Sequence, residues 1–400
     1  MPRWSFLSAA LIGAALVSGS AGAQAIRFDP HVDLPPSAAS PDWKGDVDTN
    51  SQFDIERARR GGLNAVGLAL FVPQGARDPA TLAEAKWALR ARYEAVRAIV
   101  ATHPAKVGLA ASPGELRRLV SAGKLAIVET LLNAWPFGDD LNEIDRWAAR
   151  GVRIFGFVHA GNNQFADSSR PSSARGDKPG ENGGLSPLGR AAVARLNDLG
   201  VLIDVSQLSE QAFAQVLALS RAPVIASHSA LRSRVDAPRN LDDAQLDAIK
   251  AKGGVVAIVA FSPYLHIDSE KTRTAIQDLR KEFGVSEAGS EVAPGRRAEY
   301  QQRLAQLRSA EPRASVAELV ETIDYAVKRI GIDHVAISSD FNHGGGVTGW
   351  SDVGQTANLT GALQARGYSP AQIDLLWGGN LLRVWQAAID ARDPQYRSAG

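Results

Sequence analysis

The chain has 400 residues, 45% of them hydrophobic, which is enough to bury a large core in one barrel-sized domain. Lysine and arginine together number 44 against 43 aspartates and glutamates, with no basic run, and this argues against nucleic acid or an anionic membrane surface as partner. Cysteine is absent, so disulfides, thiolate metal sites and a lipidated N-terminal cysteine are all excluded.

The N-terminus reads as a targeting segment. Arg3 supplies a positive start, 6–17 an apolar stretch, and Ala21-Gly22-Ala23 a small-residue cleavage site. That stretch is too short for a stable membrane anchor. The expectation is a signal peptide over 1–23, export to a bacterial periplasm, and a mature chain without an integral membrane segment. The C-terminal tail, 396–400, carries no apolar segment exchangeable for a lipid anchor.

From residue 24 to 395 short apolar runs alternate with amphipathic helical patterns. The runs at 26–31, 64–71, 124–129, 152–158, 201–205, 223–227, 255–261 and 334–339 are dense in Val, Ile, Leu and Ala without polar alternation, as parallel strands buried on both faces are. Apolar residues three and four apart at 54–60, 81–102, 114–122, 141–150, 186–199, 209–220 and 241–252 predict helices between them. Eight strands separated by helices predict an α/β fold, a (β/α)8 TIM barrel. A doubly wound open sheet is disfavoured, because no Gly-rich phosphate loop follows a strand. Two excursions break the alternation. Residues 160–184 are rich in Gly, Asn, Ser and Pro and read as a mobile loop. Residues 264–313 read as a helical insertion after the seventh strand, with a break at 287–295. In a barrel both lie over the C-terminal mouth, where substrate walls form.

Polar residues gather at the same ends of these strands. In His31-Val32-Asp33 strand alternation sends His31 and Asp33 to one side and Val32 to the other, so an imidazole and a carboxylate converge as donors for a divalent cation such as zinc. Glu129 ends the third run, His159 the fourth, Gln207 follows the fifth, His228 the sixth and Asp340 the eighth. His31, Asp33 and Glu129 make a three-ligand set, and the second oxygen of Glu129 could bridge to another ion on His228. Water between two cations would be acidic near neutral pH. Asp340 could take its proton and return it to a leaving amine. His159 could hydrogen-bond the oxyanion, and Arg239 offers a fork for a carboxylate. These parts describe hydrolysis of a small peptide with a free carboxylate.

The sequence resembles the membrane (renal) dipeptidase family of zinc metallopeptidases across the whole mature chain. The resemblance rests on His31-Val32-Asp33, Val128-Glu129, Gly151-Val152-Arg153 through His159, Ala166-Asp167-Ser168-Ser169, Gly184-Leu185-Ser186-Pro187-Leu188-Gly189, Ile203-Asp204-Val205-Ser206, Ser227-His228-Ser229, Pro238-Arg239-Asn240, Gly253-Gly254-Val255-Val256, Ser339-Asp340-Phe341 and Gly378-Gly379-Asn380-Leu381. It implies a barrel of the metal-dependent hydrolase type, a two-zinc site, homodimers, and cleavage of dipeptides, including some with a D-residue at the C-terminal position. By motif, His31 and Asp33 resemble ligands of the first zinc, Glu129 the bridging carboxylate, and His228 a ligand of the second. His159, Arg239 and Asn240 resemble substrate contacts, and Asp340 the acid/base carboxylate. Where the family reads Asp-Leu-Ser-His this chain has Asp204-Val205-Ser206-Gln207, so Gln207 replaces the second zinc's other histidine and weakens that site. Asn342 stands where a second Asp is common. Gln207 also motivates a second expectation, a catalytically altered or inactive homologue that acts on or binds a peptide-like metabolite during periplasmic maturation.

Overall fold

The computed structural model describes residues 24–35, 38, 45–47, 51–284, 292 and 294–396. The expected signal segment, the end of the C-terminal tail and most of the 287–295 break lie outside them.

Among the described residues nine parallel strands form the sheet: β1 (Phe28–Asp33), β2 (Ala65–Phe71), β3 (Val107–Leu109), β4 (Leu125–Leu132), β5 (Val152–Gly156), β6 (Leu202–Asp204), β7 (Ile225–Ser229), β8 (Val255–Val259) and β9 (Val335–Ser338). Eight follow one another in the order β1-β2-β4-β5-β6-β7-β8-β9, and β3 adds to β4 from outside the ring. At three residues β3 is too short for its sequence to announce it. The segment after β9 closes the ring onto β1. The Asp340 N–H donates to the His31 carbonyl at 3.2 Å, and the Asp33 N–H to the Phe341 carbonyl at 3.0 Å. This is the predicted (β/α)8 barrel.

Helices begin where the sequence supplies side-chain caps. Asp54, Asp78, Ser112, Ser186, Ser209 and Asp242 each accept from a first-turn N–H, satisfying donors with no partner inside the helix. The barrel interior is filled by Phe28, Ala65, Ala126, Val128, Ile154, Leu202, Ile225 and Val255, and Leu381, Leu382 and Trp385 of the helix Asn380–Asp390 belong to the same cluster. Ile127 and Leu131 instead join the larger cluster between strands and helices. Strand parity in β4 is thereby set: 126, 128, 130 and 132 face inward, 127, 129 and 131 outward.

The insertion supplies the helices Glu270–Glu282 and Arg297–Ser309 after β8, the seventh strand around the ring. The 160–184 loop differs from the expectation of mobility. Asp167 accepts from the Gly184 N–H at 2.8 Å, and Asp177 from the N–H groups of Asn162 and Ser172 at 2.8 and 2.7 Å. Buried carboxylates thus take over the backbone donors that the absent secondary structure leaves unpaired.

Candidate metal centre and substrate cavity

His31 and Asp33 enter the barrel mouth from β1, while Val32 packs among the helices, as alternation predicts. Both polar residues are buried, and among the described residues His31 Nε2 and both Asp33 carboxylate oxygens make no hydrogen bond, although His343 Nδ1 comes to 3.2 Å from Asp33 Oδ2. Burying such groups unpaired is costly, which points to a ligand they are built to hold. Asp33 Oδ2 lies 3.6 Å and Asp340 Oδ1 3.7 Å from His31 Nε2. Donors sharing one zinc at about 2.0–2.2 Å stand roughly 3.3–3.6 Å apart in a tetrahedron, so each of these carboxylates is spaced to share a small divalent cation with His31.

A tighter grouping of His31, His228 and Asp340 has donor atoms all within 4.8 Å of one another. The rings of His31 and His228 are stacked at 3.8 Å, 6° from parallel. The lone pair of His228 is already engaged, however. The Ser227 hydroxyl donates to Asp204 Oδ2 at 2.5 Å and can then accept from His228 Nδ1–H at 2.6 Å. That tautomer leaves Nε2 as an acceptor, and the Gln207 amide nitrogen donates to it at 2.9 Å. The donors left without a hydrogen bond among the described residues are therefore His31 Nε2 and the Asp33 oxygens, with Asp340 Oδ1 beside His31.

Two sequence expectations need correction. Glu129 is not brought to the centre. It lies on the outward parity of β4, where its Oε2 accepts from Arg97 Nη2 at 2.9 Å, and a Cβ on Gly151 would stand 2.3 Å from that oxygen. Thr130 takes the inward place, its buried hydroxyl unpartnered. Gln207 is a hydrogen-bond bridge: its amide nitrogen meets His228, and its oxygen accepts from Arg170 Nη2. The Asn240 amide nitrogen donates to the carbonyls of Val235, Tyr264 and Leu231 at 2.8, 3.2 and 3.3 Å, while its Oδ1 is buried with no hydrogen-bond partner among the described residues. Asn342 likewise ties the mouth together, accepting from the Gln52 N–H at 2.8 Å and donating to the Asp33 carbonyl at 2.9 Å.

A cavity of about 240 Å³ opens beside these donors, lined by Leu132, His159, Arg170, Gln207, His228, Arg239, Phe261, Tyr264, Asp340 and His343. Arg239 is buried, with Nη1 3.5 Å from Ser229 Oγ and its guanidinium 5.2 Å from the Tyr264 ring centre. Burial lowers its pKa, and no carboxylate pairs with it among the described residues. His159 packs on Phe71 and His343, and burial, reinforced by Arg170, His343 and Arg239, holds its pKa well below the usual imidazole range. It is neutral and can donate one N–H. Burial pushes the Asp340 carboxyl up to about 6 against the opposing pull of His31 and His343. Asp340 and Gln207 both occupy left-handed backbone, at φ 56° and 73°, a strain that clusters at functional positions.

Sequence reasoning passed over Arg170, Tyr264 and His343. Arg170 directly follows the quoted Ala166–Ser169 motif, and His343 stands three residues past Asp340, with Nδ1 3.2 Å from Asp33 Oδ2. Those adjacencies were the available signals.

The model for membrane dipeptidases, peptidase family M19, matches residues 22–398. The chain belongs to the membrane dipeptidase family. Membership makes it a hydrolase of the metallopeptidase class, acting on peptide bonds. Among solved structures, the probable dipeptidase PvdM from Pseudomonas aeruginosa is 45% identical with a TM-score of 0.87, over 92% of this chain and 96% of that one. A metallopeptidase from Rhodobacter sphaeroides, liganded with a phosphinate mimic of L-Ala-D-Ala, shares the fold at 21% identity and a TM-score of 0.71, over 91% of this chain and 99% of that one. The dipeptidase tcpJ of Claviceps purpurea is 26% identical over 87% of this chain and 72% of its own length.

Proposed function

We propose that this family member is an exported, zinc-dependent dipeptidase that cleaves the amide of a small peptide with a free C-terminal carboxylate, including substrates with a D-residue there. The observation that carries the reading is the buried, carboxylate-free Arg239 guanidinium in the small cavity that Asp340 and His343 also line, beside the buried donors of His31 and Asp33. A guanidinium fork binds a carboxylate through two parallel hydrogen bonds. The cavity, about 240 Å³, suits a ligand of two residues better than a longer chain.

His31 and Asp33 would hold the cation, with Asp340 beside it. A divalent ion there acidifies water and polarises a carbonyl. Arg239 anchors the substrate carboxylate and so orients the scissile amide. Neutral His159 donates its N–H to the carbonyl oxygen as negative charge develops. Asp340 accepts the proton of the attacking water and passes it to the departing nitrogen. Leu132 and Phe261 supply apolar lining to the cavity, and Phe71 packs against His159.

The test is amine release from a panel of L,L and L,D dipeptides by purified protein with zinc supplied. Turnover of any of them supports the reading. No turnover, with tight binding of the same peptides, favours the second reading of a catalytically altered homologue that binds a peptide-like metabolite. The displacement of Glu129 and the bridging of His228 by Gln207 are its motivation. Export rests on the 1–23 segment, and cell fractionation checks it. Among the described residues no helix is long and apolar enough to cross a membrane. Homodimerisation, carried by resemblance, is checked by light scattering.

A further inference from the structure

The His228 side of the cavity does not fit a second cation. Its inward β4 position is Thr130, both His228 nitrogens are in hydrogen bonds, and Gln207 turns an amide nitrogen, not its oxygen, toward the imidazole. What stands there is Arg170. Its Nη2 donates to the Gln207 oxygen and its Nη1 to the Tyr264 hydroxyl at 3.3 Å. A guanidinium has five N–H donors, and the two contacts leave most of them unspent. Arg170 Nε is buried with no partner, and no carboxylate pairs with Arg170 among the described residues.

The backbone holds this cation in place. The Ser169 N–H donates to the Gln207 carbonyl at 2.8 Å, Gly161 N–H to the Arg170 carbonyl at 2.9 Å, and Arg170 N–H to Ser168 Oγ at 3.1 Å. Ser168 also bridges to Leu208. The 160–184 loop is thus stapled to the turn after β6, and Gln207 accepts left-handed backbone to present its amide between His228 and Arg170. A half-buried guanidinium with no carboxylate beside it has donors to offer a ligand that enters the cavity it lines.

We infer that Arg170 contacts the carbonyl oxygen of the scissile amide, supplying beside Gln207 the positive charge that a second metal ion would supply. This rests on the amide-hydrolase reading above. Arg239 then holds the terminal carboxylate, and Arg170 with His159 forms the hydrogen-bonding site for the developing oxyanion. A preorganised donor of this kind acts mainly on the transition state.

The experiment compares wild type with Arg170→Met and Arg170→Lys. In Arg170→Met, kcat should fall by roughly 10²–10³, with KM within about threefold and tightly held metal unchanged by elemental analysis. Arg170→Lys should recover part of that loss, because it keeps charge but not the fork. Unchanged kcat, or a loss that appears only in KM, overturns the assignment. Metal content gives an independent readout. Wild type should retain nearer one zinc than two after dialysis, and Gln207→His should gain zinc chiefly when combined with Arg170→Met. Two tightly held ions in wild type would overturn the inference. Calorimetric titration with the phosphinate mimic of L-Ala-D-Ala separates the two layers of argument. If wild type cleaves no dipeptide, the hydrolase reading fails, yet weaker binding of the mimic by Arg170→Met still supports the contact, and equal binding refutes it. Should Arg170→Met not fold, Arg170→Gln, which can keep the contact to Gln207, takes its place in every arm.

Discussion

Replacing Glu129 with glutamine separates the two accounts of this carboxylate, as a bridging metal ligand or as an outward-facing group. In the structure it is 2% exposed and meets Arg97, while burial outweighs Arg97 and Arg153 and pushes its carboxyl from 4.5 up to about 7. Below pH 4.5 both folded and unfolded chains carry it protonated, and it takes nothing from stability. As pH rises from 4.5 towards 7 the unfolded chain ionises first, so folding loses the difference, and the loss levels off above about 7. A rise of that size corresponds to roughly 3 kcal/mol at ~1.4 kcal/mol per pKa unit. Glutamine cannot ionise and keeps an oxygen for Arg97. Urea unfolding at pH 4.5, 6, 7 and 8 should therefore show the variant gaining on wild type by up to about 3 kcal/mol between the first and last conditions. Metal content and turnover should stay within about twofold of wild type. Loss of bound metal in Glu129→Gln, or stability curves that run parallel across this range, would refute the outward placement.

Asp33→Asn replaces an anionic donor by a neutral one beside His31 and should release the metal on dialysis, read by elemental analysis; full retention would remove Asp33 from the centre. Asp340→Asn keeps the side-chain shape, so circular dichroism should be unchanged while kcat falls on the order of 10²–10⁴-fold. Arg239→Lys should raise KM with little effect on kcat, because a point charge does not reproduce the fork, and equal kinetics would take Arg239 out of the cavity. Gly151→Ala meets both a φ of 124° and the Glu129 oxygen at 2.3 Å. Its thermal midpoint should drop, and an unchanged midpoint would show that the contact is slack.

Much of this molecule was legible along one dimension. The spacing of apolar runs and helical patterns specifies the barrel, because a strand buried on both faces and an amphipathic helix each leave a local periodic signature. Alternation alone put His31 and Asp33 on one side and Val32 on the other, and the buried donors of β1 agree. Glu129 was not legible in that way. When both faces of a strand are apolar, parity carries no polar-apolar signal, and only packing against Gly151 and Arg97 turns 129 outward and 130 inward. A register irregularity between β4 and β5 falls at the same two residues. Arg170 and His343 depend on the same kind of information. Arg170 is a cavity residue because Ser169 and Gln207, 38 positions apart, share a backbone hydrogen bond; His343 is one because the turn after β9 folds back onto β1. Residue type and spacing, read locally, determined which chemistry the chain could carry. Which of those groups face one another is decided by long-range hydrogen bonds and packing, whose partners are set only when the barrel closes.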